Sequence, residues 1–102
     1  MPVLAKLVDG LVVAEETATG PGSDTTIAAN SSGTIALAVL SPSVEILYAL
    51  GVKDVKLPDG LALEGITAKD DGTVELKVRN VTGSDIAVGA GSISAKVVVV
   101  GY

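Results

Sequence analysis

The sequence predicts an all-β protein: a single β-sandwich over residues 1–102, jelly-roll or Greek-key like, with about eight short strands. Three observations predict it. Turn formers recur at intervals of roughly ten residues, as sandwiches and barrels require. They are Asp9-Gly10, Gly20-Pro21-Gly22, Asn30 with Gly33, Ser41-Pro42, Gly51, Pro58-Asp59-Gly60, Asp71-Gly72, Thr82-Gly83 and Gly89 with Gly91. Between the turns the apolar residues alternate with a period of two. Finally, 48% of the chain is hydrophobic and 19% charged. Area scaling lets a chain of this mass bury roughly 64% of its surface, enough for one core and no second domain.

The elements follow in order. Residues 3–8 and 11–14 form early strands around Asp9-Gly10. Residues 20–33 are rich in Gly, Ser, Thr and Pro and read as a long loop holding a short strand at 25–29. Such loops are the first place to look for contacts. Residues 34–40 form a strand with Ile35, Leu37 and Val39 inward. Residues 44–50 admit two readings. Ser41-Pro42 could open a short helix that Gly51 closes; as a strand, Val44, Ile46, Tyr48 and Leu50 share a face. Strand is preferred, since its surroundings are strand. Residues 52–57 form a strand that turns Lys53 inward with Val55 and Leu57. Residues 61–68 and 73–79 form a hairpin around Asp71-Gly72, a strong turn signal. In the second of these, Val74, Leu76 and Val78 oppose Thr73, Glu75, Lys77 and Arg79. Gly65 marks a bulge or a close backbone approach. Residues 85–88 and 92–100 complete the set.

The composition removes most chemistry. Histidine and cysteine are absent, so His-based triads, His or Cys metal sites and disulfides are not available. Serine and threonine are plentiful but lack such a base. Glu15-Glu16 sits at a strand exit and reads as solvated. Asp70-Asp71 is the other carboxylate pair, and Asp71 before glycine reads as turn chemistry. Asp24, Asp59, Asp70, Asp71 and Asp85 all fall in turns without a calcium-loop spacing. Gly89-Ala90-Gly91 lacks the helix and the Lys-Ser/Thr pair of a phosphate loop. Asn30-Ser31-Ser32 and Asn80-Val81-Thr82 match the glycosylation pattern, and without a secretory start both read as chance matches in turns. The expectation is a non-enzyme with no cofactor and no bound metal.

Charge points the same way. Seven basic and twelve acidic residues give a net charge of −5, and Tyr48 and Tyr102 are the sole aromatics. Scattered lysines and so few stacking rings argue against nucleic acid. The start lacks the pattern of a signal peptide, and no apolar run spans a bilayer.

Two strands carry more apolar surface than one core needs. Val97-Val98-Val99-Val100 is apolar on both faces, and residues 34–40 nearly so. A sandwich sheet has one inner face. The surplus is expected to meet another copy of the chain, through Ile35, Leu37, Val97, Val98, Val99, Val100 and Tyr102.

Residues 70–100 read as strand, Asn80-x-Thr82-Gly83, strand, Ala90-Gly91, strand. This resembles the last three strands of small jelly-roll modules of bacteriophage virion proteins, among them capsid decoration (cement) proteins and spike subunits. The resemblance covers the last third of the chain. It implies a homotrimer on the outer capsid of a virion, bridging copies of the major capsid protein or another virion protein. The alternative expectation is a monomeric extracellular adhesion module that binds carbohydrate or protein.

Overall fold

The computed structural model describes residues 3–8 and 10–102. Among the described residues there are nine strands and no helix. They are β1 (Val3–Val8), β2 (Leu11–Gly20), β3 (Thr25–Ile27), β4 (Ser32–Leu37), β5 (Ile46–Lys56), β6 (Leu61–Ala68), β7 (Val74–Asn80), β8 (Ile86–Val88) and β9 (Ile93–Gly101). All pair antiparallel. A long sheet has the order β1-β2-β9-β5, a short sheet β4-β7-β6, and β3 pairs with β8. The long and short sheets pack as a sandwich, with β4 near β2 and β6 near β5. The body is elongated, 53 × 21 × 17 Å.

The alternation read from the sequence sets the core. Val74, Leu76 and Val78 of β7 are buried, and so are Ile35 and Leu37 of the neighbouring β4. Facing them, β9 contributes Ile93, Ala95, Val97 and Val99, and β2 contributes Ala14 and Ala18. No aromatic ring is used, so β-branched and small side chains fill the space between the sheets. Two glycines let backbones meet there. A Cβ on Gly20 would run into the carbonyl oxygen of Ala36, where β2 and β4 are joined by paired Thr19–Ala38 hydrogen bonds of 2.9 Å. A Cβ on Gly101 would run into the carbonyl of Glu45.

The hairpin of β6 and β7 forms as the sequence predicts. Gly72 at φ 88° closes it, and the register shifts between Leu63 and Gly65. Elsewhere the boundaries move. Within residues 44–50 no helix forms, and the strand begins at Ile46 rather than at Val44. The turn expected at Gly51 does not exist, because β5 runs unbroken from Ile46 to Lys56. Three register shifts against β9 make this possible. An extra residue in one strand flips the facing of everything after it. Ile46 therefore faces the core, whereas Tyr48, opposite Val100, faces away from it. Lys53 also faces out, not in with Val55. β2 runs well past the strand expected at 11–14, to Gly20, and shortens the expected loop. β4 stops at Leu37, leaving Leu40 78% exposed. The expected turn at Asp9-Gly10 keeps Gly10, at φ 83°, while Asp9 lies outside the described residues.

Candidate interaction surface

The acidic side chains of the loops and turns serve as hydrogen-bond acceptors for backbone N–H groups. Asp24 accepts a hydrogen bond from the Ala90 N–H at 2.8 Å, and Asp85 from the Ala29 N–H at 2.9 Å. Asp71 accepts from the Thr73 N–H at 2.8 Å. Each ties a turn together. Among the described residues no three acidic side chains gather where a metal ion could sit. Glu64 accepts from the Ser32 hydroxyl at 2.7 Å. Glu16 corrects the sequence expectation. It lies on the inner side of β2, buried, and accepts from the hydroxyl of Ser43 at 2.5 Å and its N–H at 3.3 Å. This anchors the connection into β5.

The Thr73 backbone hydrogen bond holds the Asp71 carboxyl below its ordinary value, and the Thr73 side chain adds to it. A carboxyl lowered on folding stabilises the fold above its unfolded value, and that contribution is lost as pH falls through the lower folded value. Asp71→Asn is therefore expected to lower the neutral plateau slightly and leave stability near about pH 2 little changed, so that the acid limb below about pH 4 flattens. Urea titrations between pH 2 and 7 check this; an unchanged acid limb would refute it.

The expected interface residues separate into two groups. Ile35, Leu37, Val97 and Val99 are buried in the core of the single chain. Val98, Val100 and Tyr102 lie on the opposite, outer face of the long sheet. Val100 is 1% exposed although it is outside the core cluster. Its flanking positions in the register are Val13 and Tyr48. Tyr48 is 43% exposed and Tyr102 60%. Sequence reasoning missed Tyr48, because the bulge at Leu47 that turns it outward has no sequence mark. Leu47 and Leu50, also at register shifts of β5, are exposed as well.

This outer face is divided along its length. The Tyr102 and Glu45 level forms one end, fixed by backbone bonds of 3.0 and 3.1 Å between those two residues. Next comes the level of Val13, Val100 and Tyr48, then that of Glu15, Val98 and Gly51. Beyond it lie Thr17, Lys96 and Lys53. At that end Lys53 pairs with Glu15 at 2.7 Å, and Lys96 donates to the Thr17 hydroxyl at 2.7 Å. The Glu15 carboxylate raises the Lys53 pKa, by hydrogen bond and then by charge. A smaller apolar rim lies on β6, where Leu63 and Ile66 are partly exposed. The expected contact loop contributes a cleft of about 540 Å³ between Pro21, Ala36, Leu40 and Gly91.

Comparison with family models, with characterised proteins and with solved structures found no match for this chain.

Proposed function

We propose that this chain is a non-enzymatic structural protein that self-associates and stabilises a larger assembly. The observation that carries it is the outer face of the long sheet, where both aromatic residues stand exposed beside Val100, with two exposed leucines at the register shifts of the edge strand β5. Exposed apolar patches on small soluble folds mark interaction sites. Asp24, Asp71 and Asp85 are committed to loops and turns, and Glu16 to strand anchoring. The resemblance of residues 70–100 to virion modules favours a capsid decoration or virion surface protein, three copies together, contacting coat subunits. Multivalency would then convert weak single contacts into firm attachment. Light scattering at about 10–100 µM tests the first step. A mass that rises above the 10.1 kDa chain supports it; a strict monomer throughout overturns it.

A second reading has one specific observation in its favour. Tyr48 and Tyr102 lie on the same face, and exposed rings form platforms for sugar binding. A monomeric adhesion module would give a glycan-array hit abolished by Tyr48→Ala. An oligomer without glycan binding excludes that alternative.

A further inference from the structure

We propose that the surface joining two copies of this chain is the outer face of its long sheet, stacked on itself about a two-fold axis. The inference rests on the self-association reading and names the surface and its symmetry. The levels along this face are complementary under one rotation. An axis crossing the strands at the level of Ala49 and Val99 reverses the order of levels and keeps each strand above its own counterpart. Tyr48 then lies over Gly51 of the second copy, and by symmetry Gly51 receives Tyr48 of the second copy. Gly51 is a gap: a Cβ there would meet nothing within 4 Å. Tyr102 lies over Lys96, a ring against an ammonium group. Glu45 lies over Lys53, opposite in charge.

The opposite arrangement, with the axis along the strands, would set Lys53 and Lys96 at the same level as their own copies. In the crossed arrangement the charges alternate instead. Aligned sheets pack face to face about 10 Å apart and within about 30°. The overlap would span β2, β9 and β5 over seven levels, roughly 14 Å by 24 Å at standard strand spacing and rise, because β1 lies wholly on the Tyr102 side of the axis and does not meet its own counterpart. Even with side-chain relief this lies below the roughly 800 Å² that each partner gives to a standard interface, in the range of weak, transient contacts. An isologous contact closes at two copies. The trimer implied by the resemblance would need another surface.

The test exploits the symmetry. Tyr48→Gly removes both knobs from a homodimer, and Gly51→Tyr fills both gaps. Each variant alone is expected to associate at least about tenfold more weakly than the parent. Mixed one to one, they restore one knob and one gap at each position, so the mixture is expected to form a heterodimer with near-parental affinity. Sedimentation velocity reads all four samples, and circular dichroism confirms that each is folded. Should either variant lose its fold, Tyr48→Ser with Gly51→Gln repeats the knob and gap arms. If the parent self-associates but the variants do so equally well, or the mixture fails to recover, this surface is wrong and self-association by another face stands. A parent that stays monomeric at about 100 µM overturns both.

Discussion

Asn80→Ala is expected to cost about 3 kcal/mol of folding stability, because it leaves several buried polar groups without partners. Asn80 ends β7 and is 0% exposed. Its side-chain amide donates to the carbonyls of Ile27 at 3.0 Å and Ser84 at 2.7 Å. Its side-chain oxygen accepts from the N–H of Thr82 at 2.9 Å and from the Thr82 hydroxyl at 2.7 Å. One side chain therefore fastens the short sheet, the end of β3 and the turn into β8. Alanine strands the Ile27 carbonyl in the interior and unpins the turn. For a domain of this size the loss corresponds to a melting point lower by roughly 12–20 °C. Asn80→Asp keeps the acceptor but loses the donors and adds a buried charge, so it is expected to be no better. Thermal unfolding by circular dichroism reads both. A shift under about 3 °C for alanine would show that water takes over these bonds. The same burial closes the Asn80-Val81-Thr82 pattern to glycosylation in the folded chain, whereas Asn30 is exposed.

Leu76→Ala should cost a similar amount, about 3 kcal/mol, by a different cause. Leu76 is 0% exposed at the centre of the middle strand of the short sheet, between Ile35 on β4 and Ile66 on β6. Removing its branched end forfeits burial and leaves a cavity that a sheet held on both sides cannot collapse. Ile66 supplies the control in the same row. It is 41% exposed, so Ile66→Ala is expected to cost only about 1 kcal/mol. Denaturant midpoints at constant slope separate the two. Equal costs would mean that the rim on β6 is packed as tightly as the interior.

The contrast between β7 and β5 shows what the sequence made legible. β7 alternates without error and keeps an unshifted register with β4, its partner β6 carries one glycine at a single register shift, and a turn signal joins the two, so both were readable. β5 was divided in two at Gly51 because glycine between apolar runs ordinarily signals a turn. Here it is a gap inside an 11-residue strand. The register shifts that preserve the strand depend on β9, whose pairing no local pattern encodes. Asp54, at φ 54°, takes the left-handed backbone where glycine would have been the expected signal.

The interaction surface was half legible for the same reason. Val98, Val100 and Tyr102 were named from their sequence because a strand apolar on both faces is visible without knowing its partners. Ile35, Leu37, Val97 and Val99 were named with them, yet period two assigns faces only in relative terms. Which face is inner depends on the sheet opposite. Asn80 was dismissed as a turn residue, since its partner Ile27 lies far away in the chain. Glu16 was read as solvated because β2 was expected to end before it.

The position of β9 has a consequence for the order of folding. It is the last strand of the domain to be synthesised, yet it sits inside the long sheet, between β2 and β5. Val12 pairs with Gly101, so the earliest part of β2 waits until all of β9 is made. Closing so long a loop is an entropic cost met before any contact repays it, and such topologies fold slowly. Until β9 emerges, β2 and β5 have unpaired edges while the β6–β7 hairpin can already form. A nascent chain thus carries a ready half and a waiting half, and β9 must be made before the long sheet can close.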